Sequence, residues 1–393
     1  MNDISITFVA NFMNHHQLPF SKELVRLTNG HFTFIAYTPL PEESKLLGYA
    51  EMNSLPFVLK AYESADNSRL AEIAVENSDM VIFGSCPNYL LEIRKKVDKP
   101  YIIYSERFFK KGTYRRFIPI TYWKIYKRML QHQGSKCSII ASSAYLPYDL
   151  SLLHAKFKIY KWGYFTKASD SSYDELLEKK SQNIVPKLLW VARFIPLKHP
   201  EQVVQLAMKL KQAGIGFQLD MIGDGPMKKK IQAMINDLHL VDCVRLLGSM
   251  PADDVRLNME RSDIFVFTSD QNEGWGAVVN EAMASGCAIV ASHEVGSVPY
   301  LVRHGHNGYI YKSGDTNDLY VKTSTLIRSK DVYVTFGQNA ILTINQLWNP
   351  KTAASRLFEI IEAQVNSMPE PSFEDGPCSI AKVIKPRDIL SND

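Results

Sequence analysis

The chain has 393 residues, of which 46% are hydrophobic and 22% charged, and its formal net charge is +4. This length exceeds what one hydrophobic core usually supports, and the composition is that of a globular protein rather than a disordered or collagenous one. The five cysteines are scattered without a C-x-x-C pair, and no apolar run reaches about 18 residues, so disulfides, structural zinc and a membrane-spanning helix are not predicted.

The first part of the sequence alternates short apolar, β-branched segments with amphipathic stretches. No basic leader precedes the first apolar run, so we interpret that run as a strand and not as a signal peptide. Strands are predicted at residues 4–10, 32–37, 80–85, 101–105 and 138–142. Near-continuous apolar strands that alternate with helices predict a parallel sheet covered on both faces.

Residues 107–130, "RFFKKGTYRRFIPITYWKIYKRML", contain eight Lys or Arg and no acidic residue, so the rest of the chain has a net charge of −4. Cations stand beside aromatic and aliphatic residues at Arg115, Arg116, Lys124, Lys127, Arg128, Phe117, Ile118, Tyr122, Trp123, Ile125 and Tyr126. This pattern suits the headgroup zone of an anionic membrane, and a solvated basic face with core aromatics is the alternative. No nucleic-acid partner is predicted, because no RNA- or DNA-binding motif accompanies the segment.

A polar, Ser-rich stretch at residues 164–186 ends in proline and predicts a linker between two domains. Six more strands are predicted after it, at residues 187–192, 217–223, 243–248, 264–269, 287–292 and 308–313. The two series predict an N-terminal domain over 1–163 and a C-terminal domain over 187–350. Helix 351–365 could cross back onto the first domain, and residues 366–393 are predicted to form a loosely ordered tail.

The stretch "QNEGWGAVVNEAMASG" carries two glutamates, Glu273 in a predicted loop and Glu281 in the helix that follows. Arg193 and Lys198 follow the first predicted strand of the second domain. Because the C-terminal ends of parallel strands meet at one crevice, we expect these four side chains to surround one elongated ligand. Taken singly, each has a plainer explanation: a glutamate can be a partner of the helix dipole, and a loop cation can be solvated.

Two cations suit a diphosphate group, and the helix start with its glycine amides adds partial positive charge. The carboxylates would then accept hydrogen bonds from hydroxyl groups, with Glu281 at a ribose and Glu273 at a sugar. This order of groups predicts a nucleoside-diphosphate sugar. The sequence has no D-x-D, so we predict that fixed cations rather than a divalent metal stabilise the leaving diphosphate.

The motifs "ARFIPLK", "IGDGP", "LLGSM", "NEGWGAVVNEAMASG" and "HNGYIY" resemble those of the retaining glycosyltransferase family 4 over residues 187–315. The resemblance implies the GT-B fold, an α/β architecture of two doubly wound Rossmann-like domains facing a cleft. It also implies that Arg193 and Lys198 bind the donor diphosphate, that Glu273 contacts the transferred sugar and that Glu281 binds the ribose. Further donor contacts are expected at Gly223, Gly248, Ser249, Met250, Gly274, Trp275, Gly276, Ala277 and Val278.

The first half departs from the family pattern. The loop "NFMNHHQLPF" lacks the family's glycine pair, and "YSERFF" stands where many members have a sugar-contacting histidine. His15 or His16, or else Glu106 and Arg107, could therefore act near the reacting centre, and we include His16 among the catalytic candidates. The alternative for the two histidines is helix capping or packing. "NHHQLPFSKEL" and "YSERFFKKG" are similar to a bacterial subgroup associated with surface polysaccharide assembly.

The sequence therefore predicts a retaining, metal-independent glycosyltransferase without a cofactor. It would move a sugar from a nucleotide sugar to a saccharide or polyprenyl-diphosphate-linked saccharide in the synthesis of a bacterial capsule, exopolysaccharide or lipopolysaccharide. We expect the first domain to bind the acceptor and the second the donor, in the cytoplasm at the inner face of the cytoplasmic membrane. The alternatives are a GT-B nucleotide-sugar epimerase or hydrolase, and a non-catalytic nucleotide-sugar-binding subunit.

Overall fold

The computed structural model describes residues 4–42, 50–166 and 172–392. The chain divides into two compact units, Met1–Thr166 with Trp348–Val383 and Lys167–Leu347 with Ile384–Asp393. Each unit contains one parallel sheet, so the predicted α/β class is confirmed. None of the described helices combines the length and the apolar character needed to cross a membrane.

The first unit is built on a seven-stranded sheet. Its strands are β1 (Ile6–Ala10), β2 (Phe32–Ala36), β3 (Val58–Lys60), β4 (Met80–Phe83), β5 (Tyr101–Ser105), β6 (Cys137–Ala141) and β7 (Lys158–Lys161). Its helices are α1 (Leu18–Leu27), α2 (Ala65–Asn77), α3 (Asn88–Lys96), α4 (Pro119–Arg128), α5 (Leu146–Ser151) and, after the second unit, α14 (Pro350–Val365). The strand order is β3-β2-β1-β4-β5-β6-β7, so the direction of winding reverses between β1 and β4.

The second unit is built on a six-stranded sheet. Its strands are β8 (Lys187–Val191), β9 (Gln218–Ile222), β10 (Val244–Gly248), β11 (Ile264–Phe267), β12 (Ala288–Ser292) and β13 (Gly308–Tyr311). Its helices are α6 (Tyr173–Ser181), α7 (Pro200–Gln212), α8 (Lys228–Asp237), α9 (Ala252–Glu260), α10 (Val278–Ala284), α11 (Val298–Leu301), α12 (Thr316–Ile327) and α13 (Lys330–Leu342). The strand order is β10-β9-β8-β11-β12-β13, with its reversal between β8 and β11.

All eleven predicted strands are present. Most are apolar runs buried on both faces of the sheet, whereas β10 lies at a sheet edge with Arg245 and Leu247 exposed. Phe8 at the centre of β1, for example, lies in register with Phe34 of β2 and Ile82 of β4. The sequence analysis missed β3 and β7, which form the two edges of the first sheet. Both are short, and both end in lysine, so their apolar signal is weak.

The predicted linker is too long. Residues 173–181 form helix α6 of the second unit, and residues 167–171 lie outside the described part. A capping box starts α6, in which Ser172 accepts a bond from the backbone of Glu175 and the Glu175 side chain accepts one from the backbone of Ser172. The buried Lys180 then donates to the carbonyls of Ser262 (2.7 Å) and Gly286 (2.5 Å), which fixes the helix in its unit.

The prediction of a loosely ordered tail over 366–393 is wrong for the part that follows α14. Helix α14 packs against α1 in the first unit, and the chain then runs along the outer edge of β7. Three backbone bonds hold it there: Cys378 N to Lys161 O (2.9 Å), Lys161 N to Ser379 O (2.8 Å) and Ala381 N to Ile159 O (2.8 Å). Backbone pairing of this kind requires no apolar periodicity, so it could not be predicted from the pattern of apolar residues.

Candidate functional site

The donor-side candidates gather beyond the C-terminal ends of β8 and β11, the two strands at which the second sheet reverses its winding. Arg193 and Lys198 follow β8, Glu273 lies in the loop after β11, and Glu281 lies in the first turn of α10. In open α/β sheets, ligands bind at such a reversal point. The sequence predicted this placement because the candidates follow the C-terminal ends of strands in one parallel sheet.

Lys198 and Glu273 form a direct ion pair, in which Lys198 Nζ donates to a carboxylate oxygen of Glu273. Their side chains are 14% and 16% exposed. The ammonium group also lies 5.2 Å from the centre of the Phe267 ring, within cation–π range. The sequence analysis assigned the two residues to different parts of a ligand, whereas here each neutralises the other.

Arg193 is exposed, and within the described ranges no carboxylate pairs with its guanidinium group. The backbone around it is fixed, because Phe194 N donates to Asp224 O at 2.8 Å. An exposed guanidinium on an anchored loop can take an anion in bidentate fashion. Arg193 is therefore the available positive charge at this site, while Lys198 is held by Glu273.

Glu281 has an unusual electrostatic setting. Burial raises the pKa of its carboxyl group to about 7, although the nearby positive charge of Arg256 opposes the shift. Arg256 belongs to α9, and the sequence analysis did not single it out. Its contribution depends on the packing of α9 near α10, which a motif search does not detect.

The glycine loops around the site are closely packed. Gly223 has φ +135°, and a Cβ atom there would lie 2.0 Å from the carbonyl oxygen of Ala192. Its N–H donates to Gly248 O at 2.9 Å, so the loops after β8, β9 and β10 are tied together. Gly276 has φ +85°, and a Cβ atom there would meet the Phe267 ring at 2.8 Å.

The other predicted donor contacts differ in their exposure. Trp275 is buried and its indole N–H donates to Asn280 Oδ1 at 2.8 Å, so its ring belongs to the interior. Gly274 is buried as well, whereas Ala277 and Val278 are partly exposed at the start of α10. Ser249 is exposed and Met250 partly exposed after β10.

Two residues that the sequence analysis passed over organise the site. Asp270 accepts bonds at Oδ1 from Asn272 N (2.8 Å), and its backbone oxygen accepts a bond from Glu273 N (3.0 Å). Thr268 Oγ1 donates to Lys198 O (2.6 Å) and accepts from the indole of Trp190 (3.0 Å). The run "TSDQNE" contains the Asp-x-Asn pattern of a side-chain turn, which was the available signal for Asp270.

The first unit contains a polar cavity of about 380 Å³. It is lined by Asn11, Asn14, His16, Gln17, Gly84, Ser85, Tyr104, Ser105, Glu106, Arg128, Ser142 and Tyr164. Glu106 is bound on both oxygens, by Lys110 Nζ and by the Tyr164 hydroxyl, each at 2.5 Å. Amides, hydroxyls, a carboxylate and aromatic faces in one cavity are the groups that recognise a polyhydroxylated ligand.

His16 lines this cavity, with its ring stacked on that of Tyr164 at 5.4 Å. Asn14 Oδ1 accepts bonds from the backbone of His16 (3.0 Å) and Gln17 (3.1 Å) at the start of α1. Burial and the adjacent His15 lower the pKa of His16 to about 3. A neutral imidazole therefore faces the cavity at physiological pH.

Arg107 does not line the cavity that Glu106 lines. Its side chain is 2% exposed and bonds Asp149 Oδ1 at 3.3 Å, while Asp149 Oδ2 accepts from the backbone of Phe108 and Phe109. Of the four candidates left open in the first half, His16 and Glu106 line one cavity, His15 packs its ring against that of His16 at 3.7 Å, and Arg107 is buried against Asp149. Sequence adjacency could not separate Glu106 from Arg107, because consecutive residues at a strand end point in different directions.

The side chains of the basic segment 107–130 form two groups, one turned toward the interior and one exposed. Arg128 turns inward and donates to the carbonyl of Gly84, and Ile125 is buried in the core of the unit. Phe109, Met129 and Leu130 are buried in that core as well, whereas Phe117 is 73% and Trp123 56% exposed. The exposed set is Tyr114, Phe117, Ile120, Tyr122, Trp123 and Tyr126. Of the residues that the sequence analysis assigned to this surface, Ile125 is buried, Arg128 is turned inward and Ile118 is half-buried.

Comparison with known proteins shows that the second unit is similar to a known family. Residues 174–343 match the family model "Glycosyl transferases group 1". N-acetyl-alpha-D-glucosaminyl L-malate synthase of Bacillus anthracis is 29% identical over 153 residues, which is 39% of this chain and 39% of that protein. The amylovoran biosynthesis glycosyltransferase AmsK of Erwinia amylovora is 29% identical over 181 residues, 45% of this chain and 44% of that protein. The matched segments thus span less than half of these relatives.

Similarity of structure extends over both units. The crystal structure of Anabaena HepE in complex with UDP has a TM-score of 0.68 at 17% identity, and the match covers 92% of this chain and 100% of HepE. At that identity the likeness concerns the fold. The chain therefore has the GT-B fold, and residues 174–343 of its second unit are similar to the glycosyl transferases group 1 family.

Proposed function

We propose that this protein is a retaining glycosyltransferase that moves a sugar from a nucleoside-diphosphate sugar to a saccharide or lipid-linked saccharide of a bacterial surface polysaccharide. The observation that carries the proposal is the charge arrangement at the ends of β8 and β11: Arg193 exposed, Lys198 paired with Glu273, and Glu281 at the start of α10. The group 1 match over residues 174–343 and the relative from amylovoran biosynthesis support it.

In this proposal the diphosphate takes the place of Glu273 at Lys198. Arg193 and Lys198 bind the two phosphates, and the freed Glu273 carboxylate accepts hydrogen bonds from the hydroxyls of the transferred sugar. Glu281 accepts hydrogen bonds from the ribose. An ion pair that opens on binding keeps both charges neutralised in the absence of donor and makes both available in its presence.

The acceptor hydroxyl would attack the anomeric carbon from the face that the diphosphate leaves. The new bond joins the acceptor oxygen to the anomeric carbon, the bond from that carbon to the phosphate oxygen breaks, and the acceptor proton passes to the leaving phosphate. Fixed cations stabilise the diphosphate, so the reaction needs no divalent metal or cofactor. The polar cavity of the first unit would hold the acceptor, with Glu106 and neutral His16 as hydrogen-bond partners.

The decisive test is a thermal-shift screen of nucleotide sugars, because a ligand that binds only the folded state raises the melting temperature. UDP-sugars come first, since Anabaena HepE was crystallised with UDP and glucose. Donor turnover is then measured with and without acceptor, and in excess chelator. Turnover that is stimulated by a saccharide and survives chelation supports the proposal. Isomerisation of the donor would favour an epimerase, and donor binding without turnover would favour a binding subunit.

We further propose that the protein works at the inner face of the cytoplasmic membrane, where a lipid-linked acceptor would lie. The exposed aromatic set around α4 supports this, because Ile120 and Trp123 lie one turn apart on α4 beside Lys124, and the exposed Phe117 precedes the helix beside Arg115 and Arg116. Each cation near an anionic bilayer contributes about 1 kcal/mol. Aromatic side chains add interfacial affinity that salt does not screen.

Sedimentation with phosphatidylcholine vesicles, with and without phosphatidylglycerol, tests this docking at low and high salt. Replacing Phe117 and Trp123 by Ser should weaken binding at both salt concentrations. Replacing Arg115, Arg116 and Lys124 by Gln should weaken it only at low salt. Leu70→Ser, a change at a site 51% exposed in the same unit, is the control. A wild-type protein that ignores anionic vesicles at low salt would exclude the docking.

A further inference from the structure

We propose that a doubly protonated His199 positions the Lys198–Glu273 pair, and that loss of its proton releases the two loops which carry that pair. The catalytic consequence rests on the proposed function. The two hydrogen bonds of the His199 ring, to Glu201 and to Asp270, are here called the clamp, and they can be tested without activity. His199 directly follows Lys198 and has left-handed backbone angles, φ 48° and ψ 51°. Such angles are uncommon in residues other than glycine, so the backbone at His199 is constrained by its surroundings.

Both ring nitrogens of His199 face carboxylates. Nδ1 lies 2.9 Å from Glu201 Oε1, and Nε2 lies 3.1 Å from Asp270 Oδ2. An ionised carboxylate only accepts hydrogen bonds, and a neutral imidazole has a single N–H. Both contacts are therefore hydrogen bonds only when the ring is an imidazolium. The neutral ring keeps one bond and leaves the other nitrogen lone pair facing a carboxylate oxygen.

The contact to Asp270 is the one that reaches the site. Asp270 N donates to Leu197 O at 3.0 Å, and Asp270 O accepts from Glu273 N at 3.0 Å. The backbone of Asp270 thus joins the Lys198 turn to the Glu273 loop, and its carboxylate is held by His199. The contact to Glu201 fixes the other end of the ring at the first turn of α7. His199 therefore bridges a rigid helix and the loop that presents Glu273.

The charges around the ring favour its protonated form. Glu201 on α7 and Asp270 after β11 are the facing acids, Lys198 is the adjacent cation in sequence, and Lys230 on α8 acts on Glu201. The bond to Glu201 raises the pKa of His199 above its usual value of 6.5, against the effect of burial, and Asp270 adds to the rise. A raised pKa means that the clamp is complete below pH 6.5 and is lost as the pH rises through the His199 pKa.

Histidine NMR tests the clamp directly. The imidazole signal of His199, assigned by its absence in His199→Asn, should titrate above pH 6.5, with both nitrogens protonated at pH 6. A midpoint at or below 6.5, or a single protonated nitrogen at pH 6, would overturn the proposal. This measurement does not depend on any enzymatic activity, so it remains decisive if no nucleotide sugar is turned over and the proposed function fails.

The catalytic consequence is tested with His199→Gly, since glycine adopts the left-handed angles without strain. At pH 6 the variant should have a kcat roughly tenfold to hundredfold below wild type, because Lys198 and Glu273 are no longer held in place. At a pH above the His199 midpoint measured by NMR, the two should approach each other within about twofold. A kcat ratio that stays the same below and above that midpoint would show that the ring acts only as a structural filler.

His239→Gly is the matched control. His239 also has a left-handed backbone, with φ 54°, and lies exposed in the same unit. Its replacement removes an imidazole and frees a left-handed position in the same way, but at a turn between α8 and β10. It should leave kcat and its pH profile unchanged. A parallel loss in both variants would attribute the effect to backbone freedom and overturn the positioning role.

Discussion

The ion pair between Lys198 and Glu273 should be measurable as a coupling energy in the protein without ligand. Both side chains are largely buried, so removing one partner leaves a poorly solvated charge in the other. A lost charged hydrogen bond costs about 1.5–3 kcal/mol. For a unit of this size that amounts to a fall in melting temperature of roughly 3–12 °C. Lys198→Met and Glu273→Gln should each show this loss.

The double variant Lys198→Met/Glu273→Gln should lose less than the two single losses combined, by about 1–2 kcal/mol. Calorimetry of the four proteins gives the coupling. The control is Lys211→Met, which breaks an ion pair to Asp242 whose side chains are 42% and 63% exposed, and it should cost less than about 1 kcal/mol. Strict additivity at Lys198 and Glu273 would refute the pairing. Glycosyl transfer should be lost in all three site variants, since recovered stability does not restore the missing groups.

Three further outcomes are expected. Donor affinity should rise between pH 6 and pH 8, because the pKa of Glu281 is raised to about 7 and its carboxyl group ionises over this range. Titration calorimetry of Glu281→Gln should show weaker donor binding that does not rise with pH. Gly223→Ala should destabilise the protein by more than about 3 kcal/mol, because the added Cβ would overlap the Ala192 carbonyl at a backbone angle unsuited to alanine. The control Gly214→Ala, which has open space around it, should cost about 1 kcal/mol. Equal melting temperatures of the two variants would be inconsistent with the packed loop. Lys180→Met should lower the melting temperature by removing the ammonium donor from the buried carbonyls of Ser262 and Gly286, and hydrogen exchange of α6 should increase; an unchanged exchange rate would argue against Lys180 as the anchor of that helix.

The strands and the donor-side cluster could be predicted because they depend on local patterns and on one general rule of topology. An apolar β-branched run such as "IFVFT" marks a central strand wherever it occurs, and strand C-termini in a parallel sheet converge. This was enough to bring Arg193, Lys198 and Glu273 together. The edge strand β7, "KIYK", carries two lysines and lacks that signal.

The features that the sequence could not reveal depend on which way a side chain turns. Arg128 belongs to a basic run, yet it bonds the carbonyl of Gly84 and lines the cavity of the first unit. Arg107 follows Glu106 directly, yet only Glu106 reaches that cavity. No sequence motif marks His199, because its importance arises from contacts with two carboxylates that belong to different parts of the chain.

The backbone pairing of residues 378–381 along β7 has a consequence for how the chain behaves in solution. The unpaired edge of a sheet is a template on which another chain can add a strand, and that is a common start of aggregation. Here the chain's own C-terminal segment occupies the edge and leaves few free N–H and C=O groups on β7. A protein shortened after residue 365 would keep every residue of the donor site and still be prone to self-association.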